Sequence, residues 1–282
     1  MTTLRHEPPL PEPRLASPAR IRLSSKRDLF GVDLDAVDPP RAMALITKWA
    51  LEGRPSTVGF TAVHGLVTAV QNDAFCETLN GLDLLAPDGQ PLRWALQRFY
   101  GEQLSERVYG PHTMWKLCAW AADSDVGVYL YGSTEPVIEK LSKRLHEAFP
   151  ALDIRGAESP PFRPLTDDED AAMVQRINDS GAKLVFIGLG CPKQEQFIYE
   201  HREQIRGVQL AVGAAFDFHA GTLPMAPPWM QRHGLEWLYR LYREPRRLWR
   251  RYVGTNSVFL WLCLKRIVFG TKPATTPQRR TD

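Results

Sequence analysis

Between residues 126 and 214 short apolar runs alternate with amphipathic ones, and this alternation limits the chain to few folds. Residues 126–131 (VGVYLY) make an apolar run of strand length, closed by Gly132, Ser133 and Thr134. Residues 135–149 then set Val137, Ile138, Leu141, Leu145 and Phe149 on one helical face. The pairing recurs as strand 152–155, helix 167–180, strand 183–189, helix 193–206 and strand 208–214. Strands joined through helices need crossovers rather than hairpins, and crossovers give parallel pairing. Upstream, a strand over 56–63, a helical run over 64–79, a short strand over 82–86 and helices over 90–99 and 112–122 extend the series. No repeat of solenoid period is present. The predicted class is α/β: a Rossmann-like parallel sheet flanked by helices.

The two ends read differently. Residues 1–28 hold five prolines (Pro8, Pro9, Pro11, Pro13, Pro18) and predict a flexible lead to an α/β domain over 29–226. Beyond that, 227–282 predicts a basic helical appendage, with helices over 229–243 and 246–269. Charge separates these parts more clearly than hydropathy does. The whole chain carries +3, but residues 229–282 hold 12 Lys and Arg against 3 acids, a net +9, which leaves −6 on the rest. An acidic body with a basic tail points to an anionic partner. Arg240, Arg243, Arg246, Arg247, Arg250 and Arg251 are interleaved with Tyr239, Tyr242, Trp249 and Tyr252, a mixture suited to a diphosphate, a lipid surface or a nucleic acid. The apolar stretch after Val258 is too short to cross a bilayer. It fits a helix lying in a membrane interface, or equally a core helix with a solvated basic face.

Composition excludes other classes. With 44% hydrophobic and 24% charged residues the chain is not a disordered one. The first residues lack the apolar core of a secretory signal. Cys76, Cys118, Cys191 and Cys263 are scattered without metal-ligand spacing, and the seven histidines form no i, i+4 pair with a third ligand nearby. The expectation is reduced thiols in a cytoplasm and no metal site.

In open α/β sheets ligands bind beyond the carboxyl ends of the strands, so the residues there are the candidates. Asp88, between Pro87 and Gly89, is either a general base desolvated at a strand end or a turn aspartate serving its own backbone. Gly132 with Ser133, and Gly188 with Gly190, either offer backbone amides to phosphate at a helix start or are plain strand-to-helix turns. Asp217 follows the last strand. Arg107 could clamp an anion, or simply be a surface arginine. Gln194 and Glu195 fall in a first helical turn, where an acid complements the helix dipole.

Six segments in this order resemble the WecG/TagA/CpsF family of bacterial glycosyltransferases: APDG at 86–89, ERVYG at 106–110, GLGCPKQE at 188–195, VGAAFDFHAG at 212–221, GLEWLYR at 234–240 and EPRR at 244–247. The resemblance implies a metal-independent, inverting transfer, with no cofactor, from a UDP-sugar to a polyprenyl-diphosphate-linked sugar. Such transfer takes place at the cytoplasmic membrane face in cell-surface polysaccharide assembly. It implies Asp88 as base, with Thr61, Arg107 and Gln194 around it as catalytic residues. Gly132, Ser133, Gly190, Lys193 and Asp217 are the expected substrate-binding positions. Arg240, Arg247 and Arg250 would close over the site and hold the diphosphate. The expected partners are the two substrates and an anionic membrane surface through the appendage, with a homo-oligomer open and no nucleic acid. Val63 and Met225 stand where many relatives carry asparagine and arginine. The donor sugar is therefore left open between N-acetylmannosamine, glucose and another hexose.

Two other classes were weighed. A Rossmann oxidoreductase or epimerase needs GxGxxG after its first strand and an acid some twenty residues on, whereas that strand here ends in Thr61-Ala-Val-His64-Gly65. A nucleic-acid-binding module would use the arginine-aromatic tail, but the acidic body and the apolar helix beyond the arginines oppose it.

Overall fold

A computed structural model describes residues 25–270. The described chain opens on an antiparallel hairpin, β1 (Lys26–Leu29) and β2 (Val32–Asp35), followed by α1 (Pro39–Glu52). The hairpin begins inside the stretch read as a proline-rich lead, residues 1–24 of which lie outside the described residues. Then come β3 (Ser56–Thr61), α2 (Val63–Val70), α3 (Asp73–Asn80), β4 (Leu84–Pro87), α4 (Gln90–Tyr100) and α5 (Gly110–Asp123). The alternation that dominates the sequence becomes β5 (Val128–Gly132), α6 (Glu135–Ala148), β6 (Ile154–Glu158), α7 (Asp167–Asp179), β7 (Leu184–Gly188), α8 (Lys193–Glu200) and β8 (Val208–Ala211). The chain continues through α9 (Ala215–Ala220), α10 (Pro228–Arg232), α11 (Glu236–Arg243) and α12 (Pro245–Phe269).

β3 to β8 form one sheet in the order β4-β3-β8-β7-β5-β6, every pair parallel. The α/β class read from the sequence is what the chain adopts. Because side chains alternate along a strand, Leu184 and Phe186 of β7 enter one core while Val185 and Ile187 enter the other. The first core is covered by α1, α5, α6 and α9, the second by α2, α3, α4, α7, α8, α12 and the hairpin. The hairpin also closes the β4 edge. Buried Asp35 accepts the Leu85 N–H at 2.7 Å, and Lys26 Nζ donates to Leu82 O at 2.9 Å. An edge amide and a nearby carbonyl that could recruit another strand are thereby occupied.

Several boundaries differ from the sequence reading, each for a local reason. The helical run over 64–79 breaks at Asn72, whose side chain accepts from Phe75 N and starts α3 as its N-cap. The last strand, read over 208–214, ends at Ala211, and the segment after it forms the short helix α9. The helix over 229–243 divides into α10 and α11 at Gly234, which sits at φ 70°. Pro192 is the N-cap of α8.

Two further features complete this frame. After β5 the chain leaves through α6 toward β6, and after β7 through α8 toward β8, so the connections diverge from these two neighbouring strands, the switch point of the sheet. α12 lies against the second layer: Phe259 is buried in that core, and Arg266 donates to Asp28 O at 3.1 Å and to the Tyr100 hydroxyl at 2.9 Å. α12 is thus packed on the second layer of the sheet.

Gly132 lets the ends of β5 and β7 meet closely. Its φ is 129°, and a Cβ there would stand 2.6 Å from the Gly188 carbonyl carbon. Gly132→Ala is expected to lower Tm by on the order of 10 °C, through steric strain at a backbone-to-backbone contact. Thermal unfolding of the variant checks it, and an unchanged Tm would contradict the close approach.

Candidate active site

The site is assembled at the carboxyl ends of β3 and β4. Asp88 N donates to Thr61 O at 2.8 Å, and Val108 N donates to Pro87 O at 3.0 Å. These bonds stitch the segment before α5 onto the end of β4 and carry Arg107 to Asp88. Arg107 Nη1 lies 3.8 Å from Asp88 Oδ1, while its Nη2 donates to Glu236 Oε2 at 2.6 Å. Tyr109 completes the cluster: its hydroxyl donates to Glu236 Oε1 at 3.0 Å, and the Arg107 guanidinium lies 4.2 Å from its ring centroid. The three charged side chains are largely buried, with exposures of 19% for Asp88, 11% for Arg107 and 14% for Glu236.

Burial pushes the Asp88 carboxyl up to about 7. Arg107 pulls against that shift, as do the Gly110 N–H bonded to the carboxylate and the charge of Arg240, whereas Glu236 adds to it. A carboxyl poised there can accept a proton at neutral pH. Burial and the neighbouring Arg107 lower His112, so it stays neutral beside the cluster, and burial with Glu236 raises Tyr109 and keeps its proton on.

The remaining expected residues divide into those brought to this cluster and those that are not. Thr61 is buried and meets Asp88 through its carbonyl. Arg240 reaches the cluster's field and lies over the Phe218 ring at 5.8 Å. Arg250 does not: it is exposed, with its guanidinium 5.4 Å from the Trp249 ring. Arg247 is in α12, and its side chain lies outside the described residues. Gln194 is a brace. Its Oε1 accepts from Gly190 N at 3.0 Å, and its Nε2 donates to Glu195 Oε1 at 2.9 Å and Ala211 O at 3.2 Å. The Gly190 amide donates to Gln194, and the Ser133 amide to Gly188 O at 2.9 Å. Gly132 serves the strand contact described above. Lys193 is exposed at the start of α8, and Asp217 Oδ1 accepts from the Thr222 hydroxyl at 3.1 Å.

Three features escaped the sequence. Glu236 and Tyr109 were visible only as letters within GLEWLYR and ERVYG, since nothing local says that α11 folds back over the end of β4. Glu195 was read as a dipole partner. It is 3% exposed, and burial pushes its carboxyl up to about 7. A groove of about 700 Å³ also opens between α5, α6 and α9, with Trp115, Phe218 and Met225 among its apolar walls and Lys116 and Arg144 among its cations. Among the described residues no three His, Cys, Asp or Glu side chains come together that could hold a metal ion.

Comparison with known proteins bears on this arrangement. Residues 27–273 match the model of the glycosyl transferase WecG/TagA/CpsF family. The chain is similar to the N-acetylglucosaminyldiphosphoundecaprenol N-acetyl-β-D-mannosaminyltransferase of Bacillus spizizenii, 30% identical over 74% of this chain and 79% of that one. It is also similar to the protein of the same name in Bacillus subtilis, 28% identical over 66% of this chain and 70% of that one.

The raised Asp88 has a consequence for stability. Folding lifts its affinity for a proton from the model-peptide value of 3.8 to about 7, so its share of stability is complete below about 4 and is lost as pH rises to about 7. An asparagine has no such loss. Asp88→Asn should therefore unfold several degrees higher than the wild type at pH 8, with the gain, at most ~4 kcal/mol, shrinking to nothing near pH 4. Thermal scans of both proteins across that range check it. A gain that does not depend on pH would contradict the burial of a charged carboxylate.

Proposed function

The chain belongs to the WecG/TagA/CpsF family of glycosyl transferases, and from that premise we propose that it moves a hexose or N-acetylhexosamine from a UDP-sugar to a polyprenyl-diphosphate-linked sugar, inverting the anomeric carbon without a metal ion. The observation that carries this reading is Asp88, a carboxyl raised to about 7 at a strand end with Arg107 beside it. Asp88 takes the proton of the acceptor hydroxyl as the oxygen bonds to the anomeric carbon. The bond from that carbon to the UDP oxygen breaks, and its electron pair leaves with the diphosphate. Negative charge then grows on the leaving group, where Arg240 from the appendage is the nearest candidate to stabilise it. In this reading Arg107 lies beside the base and Thr61 fixes its backbone, while Gln194 braces the turn after β7. The Bacillus relatives are named for N-acetyl-β-D-mannosaminyl transfer to N-acetylglucosaminyl-diphosphoundecaprenol, which makes that acceptor the first to try.

We further read 29–226 as the catalytic domain and 227–282 as an appendage that meets the membrane where such an acceptor resides, on the cytoplasmic face. No helix among the described residues is long and apolar enough to cross a bilayer. Yet α12 exposes Leu260, Trp261, Leu264, Ile267, Val268 and Phe269 beside Lys265. Apolar residues flanked by a cation at the end of a helix suit an anionic lipid interface.

UDP release from a panel of UDP-sugars, with a short-chain polyprenyl-diphosphate-linked N-acetylglucosamine as acceptor, tests the chemistry. The expected result is acceptor-dependent, EDTA-resistant turnover that Asp88→Asn reduces by ~10²-fold or more. Turnover that survives the substitution, or that needs an added metal, contradicts the reading. For the membrane, Leu264→Asp with Phe269→Asp should weaken co-sedimentation with anionic vesicles ~10-fold while leaving the rate on the short-chain acceptor within ~2-fold. Unchanged vesicle binding would assign that face another role.

A further inference from the structure

Asp88 and Glu236 compete for one guanidinium, and the geometry shows which one holds it. Glu236 takes Arg107 at 2.6 Å and Tyr109 at 3.0 Å, leaving Asp88 at 3.8 Å from the nearer guanidinium nitrogen, beyond hydrogen-bond range. Glu236 belongs to α11, in the appendage, whereas Arg107, Tyr109 and Asp88 belong to the sheet domain. We propose that Glu236 is a positioning residue for the transfer step: by holding Arg107 off Asp88 it keeps the base available for the acceptor proton, so that the base is competent only when the appendage is docked. This rests on the reading of Asp88 as base.

Without Glu236, Arg107 would turn to the nearest remaining acid. A guanidinium forms short, bidentate bonds with a carboxylate when one is within reach, and a carboxylate held that way is a poor proton acceptor. Asp88 is the carboxylate left in reach. The other groups facing it would not prevent the collapse. The Gly110 N–H and Arg240 both favour its charged form, Tyr109 keeps its proton, His112 is neutral, and Thr61 meets it through the backbone. Glu236 is the one neighbouring group whose charge keeps the Asp88 proton affinity high, in agreement with its effect on that carboxyl.

The placement of Glu236 is itself built. α11 starts after the Gly234 turn, which packs against α4: a Cβ on Gly234 would lie 3.0 Å from the Trp94 ring and 3.2 Å from Gln90. Arg232 O accepts from Gln90 Nε2 at 3.4 Å in the same contact. A small displacement of this turn moves Glu236 away from Arg107 without touching any group in the site.

The test is the pH dependence of kcat/KM with the short-chain acceptor, for wild type, Glu236→Gln, Glu236→Asp and Gly234→Ala. The wild type should show an acid limb with its midpoint near 7. Glu236→Gln should move that midpoint down by about one unit or more and lower the plateau ~10-fold, Glu236→Asp should restore the midpoint, and Gly234→Ala should shift it as Glu236→Gln does. A midpoint that stays put in Glu236→Gln, with only the amplitude or Tm reduced, means a purely structural glutamate and overturns the proposal. Should Glu236→Gln not fold, Gly234→Ala alone decides: an unmoved midpoint overturns the proposal and a lowered one supports it. Failure of the underlying reading looks different, because Asp88→Asn would then keep its activity.

Discussion

One guanidinium shared between two carboxylates is the interaction on which the rest of this site depends. Arg107 cannot satisfy Asp88 and Glu236 equally, and its short contact goes to Glu236. The price is a buried acid with an incompletely neutralised charge, which burial and Glu236 together push up to about 7. A structural carboxylate would be better stabilised by a close pair with Arg107. The looser arrangement is the one that leaves a proton acceptor, and it holds because elements from three parts of the chain meet at one strand end.

Those parts do different physical work. The parallel sheet brings the ends of β3 and β4 side by side, so the Asp88 amide bonds to Thr61 and fixes the base in direction. The hairpin closes the β4 edge through Asp35 and also offers Asp28 to Arg266, tying α12 to the same side of the molecule. The appendage then spans from Glu236 over the site to Phe259 in the second core. In the proposed function, a diphosphate near Arg240 and a membrane under the exposed face of α12 would both act on this one body.

The regular part of this fold was legible because periodicity is a local signal. Residues 126–211 repeat strand and helix with clear apolar faces, and the parallel sheet followed from them. The hairpin was hidden: four-residue strands next to a proline-rich stretch carry little pattern, and they are held by Leu29, Val32 and Leu34 in the second core and by Asp35 and Lys26 reaching Leu85 and Leu82 more than 45 positions away. At the site, Asp88 and Arg107 were visible from their place after β4 and within the ERVYG segment. Glu236 and Tyr109 were not, because their meaning lies in a contact across 127 positions. The amides of Gly190 and Ser133 show a further limit: in the folded chain they donate to Gln194 and Gly188, and a sequence does not say which hydrogen bonds are already made.

The central claim is that Asp88 holds its proton to near neutrality inside the folded chain. The most direct measurement is a ¹³C-carboxyl NMR titration of the full chain labelled at aspartate, with the Asp88 resonance assigned by its absence in Asp88→Asn. The account predicts a midpoint near 7 for that resonance, well apart from those of exposed aspartates near 4. A midpoint for Asp88 among the exposed aspartates would mean that Arg107 neutralises it after all, and would contradict the account.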